Sequence, residues 1–155
     1  MNIRVFKEDF MKRIPVLLLF ILFFSSGVGE AQSNTIWGKW KTIDDKTKAP
    51  KSIVEIYKQE GKLYGRIVKL FRKPEEDPDP VCDKCKGEQK DKKILGMVII
   101  NGLTKKGVAW SKGKVLDPDN GKTYHAKIWL EDGKLRIRGY ILFLYRTQTW
   151  MRYTE

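Results

Sequence analysis

The residues best suited to chemistry in this chain are Cys82 and Cys85, spaced Cys-x-x-Cys in the polar, proline-led stretch "DPVCDKCKGEQK" (79–90). Two thiolates supply half of a tetrahedral zinc shell, and Asp79, Asp83 or Glu88 would have to complete it with oxygen. Cuprous copper tolerates two soft ligands. Thiol exchange usually needs the first cysteine at a helix N-terminus, where the dipole lowers its pKa, whereas "DPDPVC" has the composition of a loop. In an oxidising compartment the pair closes on itself, giving a disulfide that ties a long loop down. So short a ring constrains the loop more than the whole fold. The Cys82–Cys85 disulfide is the expectation carried forward, and a redox- or copper-responsive role for the same pair is its rival.

Other chemistry is sparse. His125 is the only histidine, so Ser-His and Cys-His pairs can form around that ring alone and a conventional zinc site lacks its second imidazole. Its side of the strand is shared with Lys127, which suggests a solvated surface. Carboxylates cluster at Glu75-Glu76-Asp77 and at Asp117-Pro118-Asp119, both turn-like segments where acidic side chains are ordinarily just hydrated. Glycine-rich phosphate loops and dinucleotide fingerprints are absent from the sequence. The expectation is a protein that is not an enzyme, with no metal and no cofactor.

The elements that would position these residues begin after a leader. Arg4, Lys7, Lys12 and Arg13 precede an apolar run from Ile14 to Phe24, which is followed by small residues and Gly29-Glu30-Ala31. That is the layout of a secretory signal peptide over residues 1–31, its apolar run too short to span a bilayer comfortably. The expected mature chain, 32–155, suits a single domain that is exported to the periplasm or secreted and does not span the membrane. Residues 1–31 hold four basic and three acidic side chains, so of the formal +12 the mature part keeps +11. Such a charge favours anionic surfaces, lipid head groups or polysaccharide among them, and is equally the mark of a lysine-rich solvated surface. Nucleic acid is not expected as a partner, because export separates the two and the basic residues are dispersed without a reader motif.

Beyond Asn34 the chain breaks into short runs rich in β-branched and aromatic residues, separated by turn signals. Strands are expected over 35–42, 52–58, 62–71, 94–101, 108–117, 122–131, 134–143 and 146–153. "QEGK" (59–62), "LDPDNGKTY" (116–124) and "LEDGKL" (130–135) join neighbours through Asn-Gly, Asp-Gly or Glu-Gly, residues that supply the positive φ of tight hairpins. Sequential hairpins imply an all-β, antiparallel, up-and-down sheet, and about eight strands allow it to close. Alternation is clear in 134–143, with Leu135, Ile137, Gly139, Ile141 and Phe143 on one face and Arg136, Arg138 and Tyr140 on the other. "ILGMVIING" (94–102) is apolar throughout, and periodicity leaves open a strand buried on both faces or a short helix plugging one end.

Gly38-Lys39-Trp40 on the first strand, with Arg152 on the last, fits an arrangement that closes one end of a barrel: the indole fills the floor and a cation packs over it. Gln148, Trp150 and Arg152 share one face of the last strand, which would bring Trp150 and Arg152 near Trp40. Five tryptophans, with Trp110, Trp129 and Trp150 on different strands, would suit a small apolar or amphipathic ligand in the lumen or at the mouth. The candidate ligand set is Trp110, Trp129, Arg136, Arg138, Tyr140, Arg146 and Trp150, with an arginine anchoring a carboxylate or phosphate. A scaffold that binds anionic envelope polymers is a third reading of the same chain.

Taken together, "IWGKW" (36–40), "CDKCKG" (82–87), "ILGMVIINGL" (94–103), "GKVLDPDNGKTY" (113–124), "LRIRGY" (135–140) and "RTQTWMRY" (146–153) closely resemble the exported bacterial proteins catalogued as domain of unknown function 2147. The resemblance covers residues 35–153 and implies a lipocalin-like, calycin-type barrel and an exported protein; it implies no activity. Where many members carry a glycine soon after the Gly-Tyr pair, this chain reads Gly139-Tyr140-Ile141-Leu142-Phe143-Leu144.

Overall fold

The computed structural model describes residues 34–154, and the leader expected over 1–31 lies outside the described residues. Eight antiparallel strands run β1 (Gly38–Ile43), β2 (Pro50–Gln59), β3 (Lys62–Leu70), β4 (Val98–Lys106), β5 (Ala109–Asp117), β6 (Lys122–Glu131), β7 (Lys134–Ile141) and β8 (Leu144–Arg152). Each pairs with the next, and β8 returns to β1 to close an up-and-down barrel. A single 3-10 turn, Gly87–Gln89, is the helical structure among the described residues, and none of it is long and apolar enough to cross a membrane.

Turn chemistry sets the topology. Glu60-Gly61 and Asp132-Gly133 both take positive φ, as a two-residue hairpin of primed type demands. The uniformly apolar stretch resolves as turn plus strand: Gly96 donates to the Ile67 carbonyl (2.8 Å), and β4 begins at Val98. There is no helical plug at 94–102. The last hairpin turns at Leu142-Phe143, between paired Ile141 and Leu144, instead of at the expected 144–145. No glycine or asparagine marks that turn, and Leu142 itself adopts a φ of 53°.

The core occupies the lower half of the barrel, at the end where the chain enters β1 and leaves β8. Trp40, Val54, Leu63, Ile100, Leu103, Ile128 and Leu135 are all fully buried there. Opposite, at the mouth, lie the β1–β2 loop, the long segment 71–97, the β5–β6 turn and the Leu142-Phe143 tip. The seam is the weak junction. Between β1 and β8 only Trp40 with Arg152 and Lys41 with Met151 are in register, so toward the mouth the two strands part.

Candidate functional site

The floor is built first, because it decides that the lumen opens one way. Trp40 is fully buried and its Nε1 donates to the Ile36 carbonyl at 2.9 Å. The Arg152 guanidinium lies 3.9 Å from the Trp40 ring centroid, donates to the Trp37 carbonyl at 2.7 Å and also bonds the Thr35 carbonyl. Gly38 has a φ of 109°, which favours glycine, and a Cβ there would stand 3.2 Å from Arg152 Nη1, a tight approach to the cation over the floor. Trp37 and Trp110 meet edge to face at 5.2 Å and thicken the same floor.

Above the floor the barrel is hollow. A cavity of about 760 Å3 reaches from Trp150 and Ile137 up to the mouth loops. Its deeper walls are apolar, with Ile67, Ile99 and Val115 joining Trp150 and Ile137. One polar pair is set into them: Thr42 and Ser52, register partners with oxygens 2.8 Å apart, satisfy each other where water is scarce.

Charge gathers at the mouth. Lys51 at the start of β2 forms an ion pair with Asp119 in the β5–β6 turn, from the other half of the barrel. Where β1 and β8 part, side chains take over from backbone pairing. Asp45 holds Arg146 in an ion pair and accepts from Gln148 Nε2 (2.8 Å), while Gln148 Oε1 accepts from Trp150 Nε1 (3.3 Å). A polar chain therefore runs from the rim to the indole deep in the cavity. Asp44, beside it, accepts from the Lys46 and Thr47 amides and the Thr47 hydroxyl (3.0, 2.7 and 2.9 Å). The Thr47 and Lys46 hydrogen bonds hold its carboxyl below the usual value.

The Cys-x-x-Cys stretch forms the shoulder of the mouth. Cys82 and Cys85 are joined as a disulfide, both buried, with Cα atoms 5.3 Å apart. Around it Val81 and Lys93 form a bridge, Cys82 N donates to the Lys92 carbonyl (2.9 Å) and Ile94 N to the Pro80 carbonyl (2.9 Å). The stapled loop presses on the β5–β6 turn so closely that a Cβ on Gly121 would fall 1.9 Å from the Lys84 carbonyl oxygen. Among the described residues no group of three or more His, Cys, Asp or Glu is placed to hold a metal ion.

The residues singled out from sequence divide between two places. Arg146 and Trp150 line the cavity, and Trp110 is buried in the floor against Trp37. Trp129, Arg136, Arg138 and Tyr140 lie on the outer wall, away from the lumen, because they alternate with the inward Ile128, Ile137 and Gly139. His125 is on that wall too, exposed, in register with Tyr140. Sequence reasoning missed Asp45, Thr42 and Ser52, and it placed Gln148 on the Trp150 face without giving it a role in the site. Only the register of β1 against β2 pairs Thr42 with Ser52 in the cavity wall, and only the parting of β1 from β8 leaves Asp45 to meet Arg146 and Gln148; neither leaves a local sequence signal.

Residues 38–152 match the model of a family described as "Uncharacterized protein conserved in bacteria (DUF2147)". Among solved structures, the barrel is similar to one described as "Protein HP1028 from the human pathogen Helicobacter pylori belongs to the lipocalin family". The two are 19% identical with a TM-score of 0.66, over 78% of this chain and 84% of that one, which speaks for a shared fold. No curated protein matches this chain.

Proposed function

This chain belongs to the bacterial family DUF2147, and on that premise we propose that it is an exported, non-catalytic carrier for one small amphipathic molecule. The lipocalin-like fold suggests small-ligand binding in general terms. The observation that carries the narrower reading is the cavity: about 760 Å3, apolar in its depth, polar at its rim and open at one end. Those are the dimensions and polarity of a site for one small ligand. An apolar tail would lie against Ile67, Val115, Ile137 and Trp150, with the head group at Arg146 and Lys51. Trp150 is both wall and reporter. Purified, delipidated protein titrated with fatty acids and lysolipids is expected to show a change in tryptophan fluorescence and a rise in Tm. Flat titrations across both classes would overturn the reading.

Export, to the periplasm or beyond, is supported by the leader pattern and by a cysteine pair that needs an oxidising compartment to close. The buried disulfide supports a structural staple over the redox- or copper-responsive rival, since its sulfurs sit among core residues and not at a surface open to exchange.

A further inference from the structure

We propose that the outer wall of β5–β8 and the β7–β8 tip together form a docking face for an anionic lipid bilayer, which would set the cavity mouth against the membrane. The tip is the first observation. Leu142 and Phe143 are 88% and 86% exposed, and Ile141, Leu144 and Tyr145 beside them are exposed as well. Leu142 holds a left-handed φ that favours glycine, so this turn spends conformational energy to present a leucine to solvent. The second observation is the wall beneath. Lys114, His125, Tyr140 and Tyr145 form one cross-strand row, Lys127, Arg138 and Thr147 the next, and Trp129, Arg136 and Thr149 a third.

Arg138 lies 4.4 Å from the Tyr145 ring centroid and 5.3 Å from that of Trp129, and Lys127 lies 5.6 Å from the Trp129 centroid. Glu131, the carboxylate on this wall, sits at its far end and is held by Arg136 at 2.8 Å. Cations interleaved with tryptophan and tyrosine, continuous with a protruding apolar tip, match the bilayer interface: phosphates for the first, the head-group boundary for the second, acyl chains for the third. The tip also borders the cavity, since Ile141, Leu144 and Tyr145 line its rim. A hydrated polysaccharide would satisfy the cations but offers nothing to Leu142 and Phe143.

The inference stands on exposed residues and does not depend on the cavity being filled. Its test uses the closed barrel of residues 32–155, which carries its own core, floated with vesicles of phosphatidylcholine alone or with about one third phosphatidylglycerol. Binding is expected to the anionic vesicles, to weaken with salt, and to fall about a hundredfold in Leu142→Gly/Phe143→Ser, each of the two lost apolar insertions being worth roughly tenfold. Lys127→Gln/Arg138→Gln should lose about fivefold per charge, chiefly at low salt. Urea midpoints verify that the variants fold. Absence of binding at low salt would overturn the proposal, as would binding that ignores the tip substitutions, or retention on anionic polysaccharide with none on vesicles. Loss of a concentration-dependent dimer in the tip variant, without vesicle binding in the parent, would assign the face to a second copy of this chain instead.

Discussion

Arg152 stacks at 3.9 Å on the ring of Trp40, its register partner, so the last strand and the first are joined by a cation–π contact at the one place where their backbones also pair. The contact does two things at once. It seals the floor, and it fixes where the seam begins to open. Trp40→Ala should cost about 3–5 kcal/mol, the range for emptying a buried aromatic site. Arg152→Met keeps the stem and loses the cation and its bonds to the Trp37 and Thr35 carbonyls, for an expected loss of about 2–3 kcal/mol. Urea denaturation of the three proteins checks both figures. A loss below about 1 kcal/mol in either would show that the floor is redundant.

The disulfide closes so small a ring that its entropic contribution to the whole barrel is about 2 kcal/mol at most. Cys82→Ala/Cys85→Ala should therefore leave a folded barrel whose damage is local. Hydrogen exchange is expected to speed up at the Cys82, Asp91 and Ile94 amides, which bond within the stapled loop, while β6 and β7 stay protected. Uniformly faster exchange would mean that the loop is part of the cooperative core.

How much of this was legible beforehand follows from how local each signal is. Glu60-Gly61, Asp132-Gly133 and the Asn120-Gly121 segment announce hairpins by residue type, and the barrel follows from their order. Gly38, Trp40 and Arg152 were also legible, as a cation, an indole and a glycine that make sense only together. The Leu142 turn was not, because it uses a residue that turns avoid and must be held by the pairing on either side. Nor was the division of the arginines. Alternation placed Arg136 and Arg138 opposite the Leu135 face, but identifying that face with the lumen required the sheet to close.

Acid should loosen the lip before it reaches the core. Asp44 accepts three hydrogen bonds in its ionised form, so its folded pKa lies below the ordinary 3.8. A depressed carboxyl contributes stability above its unfolded pKa and loses it as pH falls through the folded one. The Lys46 and Thr47 amides, bonded to Asp44, are expected to shift and exchange faster below about pH 4, and Asp44→Asn should blunt that response. NMR titration from neutral pH downward reads both. An unchanged profile in Asp44→Asn would assign the acid response to other carboxylates.

Asp45 and Arg146 give the carrier reading its sharpest consequence, because the two bear on ligand charge with opposite sign. Arg146 is occupied by Asp45, which is also held by Gln148. An anionic head group at the rim must compete with that carboxylate for the guanidinium. Arg146→Gln removes the cation and should weaken a fatty acid by about tenfold, the worth of one charge-assisted hydrogen bond. Asp45→Asn removes the competitor while keeping a partner for Gln148, so the same ligand should bind more tightly. A neutral ligand of equal chain length, such as the corresponding alcohol, should be nearly indifferent to both changes. Calorimetric titration of acid and alcohol into the three proteins separates the outcomes. Equal effects on acid and alcohol would place the head group away from Arg146, and weaker acid binding in Asp45→Asn would make Asp45 a positioning residue for the seam instead of a competitor.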